Sequence, residues 1–207
     1  MRIQKLVMIA ALSLALTFSG CRFKPPTVGF WFEDGPFRFS SDVAARIGGP
    51  LTGEELVSIE RLATQEVERA FAGLSVVVTG DHEAFWRVRV MPMLPTAKNQ
   101  ALPRAGESLA LGMLGGTGAV GFDFVTFNAV QFAPTGASRQ TVLDGIGRGI
   151  GRVAVHEFMH QILGVASAHN DSDPDSYESG RAERPSQYYG ELHWTTALPA
   201  LRQKFGG

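Results

Sequence analysis

His156-Glu157-Phe158-Met159-His160 is the stretch on which the reading of this 207-residue chain turns. Residues four apart share one face of a helix. His156 and His160 can therefore aim their imidazoles at one metal ion, with Glu157 beside them as a carboxylate able to move a proton. The stretch needs a helix to carry it. Residues 141–163 supply one, with Ile146, Ile150 and Val153 as an apolar stripe. Gly164 follows, a residue able to take the left-handed conformation that ends helices. Gly145, Gly147, Gly149 and Gly151 work against that helix, each costing about 1 kcal/mol relative to alanine. A close approach of this helix to a sheet is the expected reason for them. Their spacing matches neither a dinucleotide nor a P-loop fingerprint.

Two histidines hold a metal poorly without a third ligand, since catalytic zinc sites usually take three protein ligands. His169, Asp171, Asp173, Asp175 and Glu178 follow the helix. His169 is the expected third ligand, because imidazole is a common zinc ligand and this one lies nearest the turn. Asp171 is the runner-up. The acids between 171 and 175 also admit a calcium reading, with a solvated turn preferred. His82 is expected on an exposed loop and His193 in a structural role. Phe158 and Met159 are expected to face the core.

Upstream, residues 28–32 read as a first strand, with residues 37–39 extending a short hairpin beyond Asp34-Gly35. Thr52 caps a helix with Glu54 and Glu55 in its first turn. Leu56, Ile59, Leu62, Ala63, Val67 and Phe71 recur at helical spacing, and Gly73 closes it. Residues 75–79 and 86–91 read as strands, 93–104 as a Pro-containing connection, 108–113 as a short strand and 114–118 as a loop. Residues 122–130 alternate aromatic with small or polar residues and read as a strand. The fold class is α+β: a mixed sheet with two long helices on one side.

The N-terminus has its own logic. Arg2 and Lys5 precede an apolar run from 6 to 18, too short for a comfortable membrane span of ~20 residues. Small residues then lead to Cys21, the single cysteine in the chain. This pattern reads as a secretory signal. Ser19-Gly20-Cys21 resembles a bacterial lipobox, which implies cleavage before Cys21, lipidation of that cysteine and a place in the bacterial cell envelope, outside the cytoplasm. Residues 1–20 are then the signal, 21–27 a tether and 28–207 one domain. The formal net charge is −1, and no basic stretch interleaved with aromatics appears, so nucleic acid is excluded as a partner. A peptide or protein substrate, the membrane through the lipid and a monomeric state are expected.

The run from His156 through Gly164, followed by His169 and Ser172-Asp173-Pro174-Asp175-Ser176, resembles the metzincin clan of zinc endopeptidases, especially its matrixin branch. The resemblance spans roughly residues 28–206, and its specific part is 156–176. It implies Zn²⁺ as cofactor, His156, His160 and His169 as ligands, and Glu157 as general base. It implies a mostly parallel twisted sheet with a backing helix and an active-site helix (28–164), then a loop-rich C-terminal subdomain (165–207) ending in a helix near 198–206. It also implies an extended substrate beside an edge strand, here 108–113 or 120–124. The chain departs from the clan in its gaps of four and five residues around Gly164, where three and three are usual. Tyr177 stands where the clan's turn methionine is expected. Tyr177, Tyr188 and Tyr189 are candidates to assist an oxyanion, with a core or rim role the preferred reading. The competing functions are a non-catalytic zinc-binding surface lipoprotein and a metal-dependent hydrolase of cell-wall amides.

Overall fold

The computed structural model describes residues 25–95, 104–110, 115–164 and 169–206. The expected signal, Cys21 and the start of the tether lie outside them. Among the described residues, no helix is long and apolar enough to cross a membrane.

The elements run β1 (Thr27–Phe32), α1 (Ser41–Ile47), α2 (Gly53–Ala70), β2 (Val77–Thr79), β3 (Trp86–Met91), β4 (Gly106–Ala110), β5 (Gly116–Gly121), α3 (Phe122–Gln131), α4 (Arg139–Leu163), α5 (Ser186–Tyr189) and α6 (Leu198–Phe205). The sheet has the order β2-β1-β3-β5-β4. β1 pairs in parallel with β2 and β3, β3 pairs in parallel with β5, and β4 runs antiparallel along β5. Among the described residues, β4 is therefore an edge strand.

Alternation decides which face of β3 is covered. Trp86, Val88 and Val90 are buried, whereas Arg87 and Arg89 are not. Helix α4 packs on the covered face against β3, β4 and β5, and α2 packs along α4. The two long helices thus share one side, as the sequence predicts. Thr52 caps α2 in a full capping box with Glu55, which satisfies two orphan N–H groups at once. The Glu55 carboxylate also accepts two hydrogen bonds from Arg139, at 2.7 and 2.8 Å. Arg139 further donates to the carbonyls of Ile47, Gly49 and Pro50. One guanidinium so joins the start of α4 to the start of α2.

Three expected elements are corrected. Residues 122–130 form helix α3, not a strand. Val125, Ala129 and Phe122 are fully buried, and their spacing of three and four is helical. The alternation of Phe122 and Phe124 at its start gave a misleading strand signal. The glycine-rich loop expected over 114–118 is in part strand β5, which begins at Gly116. A Cβ on Gly116 would stand 2.5 Å from Gln161 Cγ, so glycine is needed there for α4 to lie on the sheet. The hairpin expected over 37–39 is absent; Phe37 and Phe39 instead pack their rings on Phe122. Helices α1 and α5 carry too few periodic residues to stand out in the sequence.

The glycines of α4 are also placed differently from expectation. Cβ atoms at Gly147 and Gly151 would collide with α2, and at Gly145 and Gly149 with the rings of Tyr189 and Tyr188. The close approach is to a helix and two tyrosines. The sheet-side approach is made by strand glycines, at 106, 116 and 118.

Candidate metal centre

Helix α4 carries the motif at its C-terminal end. Phe158, Met159 and Ile162 are fully buried, which turns the opposite face, with His156 and His160, toward a cleft. The helix stops at Gly164, whose φ of 68° is left-handed and whose N–H donates to the His160 carbonyl. Lys204 of α6 donates to the Ile162 carbonyl at 2.5 Å and satisfies another group at this end. Residues 165–168 lie outside the described residues, and the chain continues at His169.

The three imidazoles converge. His156 Nε2 lies 3.0 Å from His160 Nε2 and 3.2 Å from His169 Nε2, and the latter two are 3.0 Å apart. Each imidazole nitrogen has one in-plane direction for a proton or a lone pair, so three of them cannot satisfy one another by hydrogen bonds. Three nitrogens bound at ~2.0–2.1 Å to one tetrahedral ion would sit ~3.3 Å apart, close to what is seen. Behind His156, Nδ1 is 2.9 Å from the Tyr177 carbonyl. A carbonyl only accepts, so Nδ1 carries the proton and Nε2 presents its lone pair inward. Burial, the neighbouring His160 and His169, and Arg184 hold the His156 pKa down to about 4, against the pull of that hydrogen bond. His156 is therefore neutral at pH 7, as a ligand must be. The donor set and its geometry fit a zinc ion.

The other candidate ligands are engaged elsewhere. Asp171 accepts from the Gly180 N–H at 2.9 Å and from Ser179. Asp173 accepts from the Asp175 N–H at 3.0 Å and lies 3.1 Å from His193 Nε2. Buried Glu178 accepts from the N–H groups of Thr195 and Ala197 at 2.7 and 2.9 Å. These carboxylates shape the loop and tail. His193 has the structural role expected of it, and exposed His82 stacks on Trp31.

Glu157 is 7% exposed and lies under edge strand β4. A Cβ on Gly106 would stand 2.5 Å from its Oε1, so only glycine leaves it room. Burial pushes its pKa up to about 7, opposed by the Ser108 side chain, which favours the charged form.

The three tyrosines keep out of the cleft chemistry. The Tyr177 hydroxyl donates to Glu66 at 3.2 Å. Tyr189 donates to the Ala129 carbonyl at 2.5 Å. Tyr188 is fully buried, its ring against Gly149 and Phe132. Tyr177 and Tyr188 are buried and Tyr189 is half-buried, in line with the preferred core or rim reading.

The cleft has a volume of about 630 Å³. Its walls are β4 on one side and the segment from Tyr177 to Gln187 on the other, with Val153 and Arg152 one helical turn beyond the histidines. Phe124 and Gln187 also line it, and the sequence offered no sign of either. Gln187 reaches it because α5 folds against α4. Of the two expected substrate edges, 108–113 overlaps β4 over its described residues and is an edge. The second, 120–124, is not: Val120 is inside the sheet and residues from Phe122 are helical.

No protein-family model matches the chain, and no curated protein matches it. Among solved structures, the fold is similar to that of archaemetzincin from Methanopyrus kandleri, a crystal structure at 1.5 Å resolution. The match has a TM-score of 0.52 at 10% sequence identity and covers 88% of this chain and 97% of that one. This chain, an α/β fold with a mostly parallel five-stranded sheet, is thus similar in overall fold to that structure.

Proposed function

We propose that this protein is a zinc-dependent endopeptidase. The observation that carries the reading is the convergence of three imidazole Nε2 atoms at the floor of a cleft, with the Glu157 carboxylate on the same helical turn. The fold-level likeness to archaemetzincin and the metzincin-like motif support it.

His156, His160 and His169 would hold the ion. Bound zinc supplies Lewis acidity, which makes water a nucleophile near neutral pH and polarises the scissile carbonyl. Glu157 takes a proton from the attacking water and gives it to the departing amine. Its burial suits this work, because a base poised near neutrality both accepts and releases a proton. Ser108 keeps the carboxylate oriented. The substrate chain lies extended along β4, whose outer edge carries no further strand among the described residues, and adds a strand to the sheet. The Tyr177–Gln187 segment closes the other side.

The lipobox-like Ser19-Gly20-Cys21 behind a basic, apolar start supports a second part of the proposal: the protein is exported and anchored through a lipid on Cys21, with the domain held at a bacterial membrane by a short tether. Incorporation of labelled fatty acid into the wild type and its loss in Cys21→Ala test that part. The enzymatic part is tested by digestion of unstructured proteins with wild type, with chelated protein and with Glu157→Gln. Cleavage by the wild type alone supports it. Cleavage that persists in Glu157→Gln overturns it.

A further inference from the structure

We infer that Tyr177 is a positioning residue for the metal centre, fixed from behind by the carboxylate of Glu66 on α2. The inference rests on the zinc reading above and extends it to residues that touch neither metal nor substrate.

Glu66 lies on α2 and is 5% exposed. Its Oε1 receives Arg152 Nε at 2.9 Å, an Arg69 guanidinium nitrogen at 2.7 Å and the Tyr177 hydroxyl at 3.2 Å. The donors come from α4, from α2 and from the loop beyond His169. Arg152 is buried and uses its remaining nitrogens on the carbonyls of Ser186 and Gly190, at 2.7 and 2.9 Å. A buried carboxylate is costly unless paired and hydrogen-bonded, and here it is both. The cluster is therefore a fixed point.

Tyr177 connects that point to the metal ligands with its two ends. Its hydroxyl ends on Glu66. Its own main-chain carbonyl accepts the proton of His156 Nδ1 at 2.9 Å. Its ring is held between, 4.9 Å from Trp194. The backbone around it is tied down as well, with its N–H on the His193 carbonyl at 3.0 Å. A phenol reaches the carboxylate where an apolar side chain of the same length leaves Glu66 one donor short. The path from Glu66 through Tyr177 to His156 fixes both the tautomer and the ring direction of a ligand. Outer contacts of this type typically contribute 10–100-fold to metal affinity.

The test compares Tyr177→Phe with Tyr188→Phe. Tyr188 is an equally buried tyrosine whose hydroxyl has no partner among the described residues, so its loss controls for removing a buried hydroxyl. Zinc affinity is measured by competition with a chelator, and the tautomer of His156 by ¹⁵N NMR of the metal-free protein. The expected result is zinc binding about tenfold weaker in Tyr177→Phe, with a His156 signal no longer purely Nδ1–H, while Tyr188→Phe matches wild type in both. Equal zinc affinity and an unchanged tautomer in Tyr177→Phe overturn the inference alone. A wild type that takes up no zinc overturns the zinc reading as well. Should Tyr177→Phe not fold, the wild-type spectrum still decides: an Nε2–H or mixed His156 tautomer contradicts the arrangement, and a pure Nδ1–H form supports it.

Discussion

The carbonyl oxygen of Ala63 lies 2.5 Å from where a Cβ on Gly151 would stand. Real Cβ contacts do not come that close, and the obstacle is backbone, which cannot swing aside. One turn earlier, Gly147 meets Leu62 and the Ile59 carbonyl in the same way. The two glycines let α4 lie directly on α2. In an open helix, Gly→Ala stabilises by about 1 kcal/mol. Here Gly151→Ala is expected to destabilise by about 1–3 kcal/mol through overpacking. Gly53, which begins α2, has nothing within 4 Å of an added Cβ, so Gly53→Ala should be neutral or better. Thermal melts of both variants measure the contrast.

Arg152 should be far less replaceable than a surface arginine. It is 1% exposed and pairs with Glu66. Replacement by Met leaves Glu66 with Arg69 and Tyr177 and frees two partly buried carbonyls, those of Ser186 and Gly190. Glu66 keeps Arg69 as its ionic partner, so the expected cost is that of the hydrogen-bonding groups left unpaired, about 1–3 kcal/mol. Urea unfolding of Arg152→Met should show a loss of that order. A change under about 1 kcal/mol, typical of surface substitutions, would mean the cluster carries little.

Acid should weaken the junction between α1, α2 and α4. The Arg139 guanidinium holds the Glu55 carboxyl down to about 2. A carboxylate with a lowered folded-state pKa adds stability above its unfolded value of ~4.3, and that stability is lost as pH falls toward 2. Glu55→Gln should therefore be less stable than wild type at pH 7, by about 1 kcal/mol given partial exposure and screening. The difference should disappear by about pH 2. Paired denaturation curves across that window check both the sign and the range.

Glu157→Gln should separate binding from chemistry. The side chain keeps its size beneath Gly106 and is not among the three converging nitrogen donors, so metal content should stay at the wild-type level. Turnover should fall by about 10²–10⁴-fold, the usual contribution of a positioned proton-transfer group. Equal loss of metal and activity would give Glu157 a structural role in its place.

The parts of this molecule readable from sequence were those where local chemistry and tertiary need agree. The end of α4 was visible because two histidines, a glycine stop and an apolar stripe all speak for one helix. The N-cap of α2 at Thr52 was equally plain. Ligand preference and nearness to the turn favour His169 over Asp171, and the structure brings His169 to the other two imidazoles while Asp171 closes the loop on Gly180. What stayed hidden depended on distant neighbours. Gly116 and Gly118 read as loop residues, yet they are strand residues kept small for Gln161. Helix α3 is rich in Phe and Val, and its identity follows from burial against α4, not from propensity. Arg152 looked like any charged residue between glycines, and Glu66 like any exposed helical acid. Their pairing joins positions far apart in the chain, which no periodicity reveals.

Metal content decides whether His156, His160 and His169 together hold one metal ion. Purified protein supplied with zinc, beside His169→Ala and Asp171→Ala, should carry one zinc per chain in the wild type and in Asp171→Ala and none in His169→Ala. A wild type that retains no zinc, or a His169→Ala variant that retains it fully, would contradict the account.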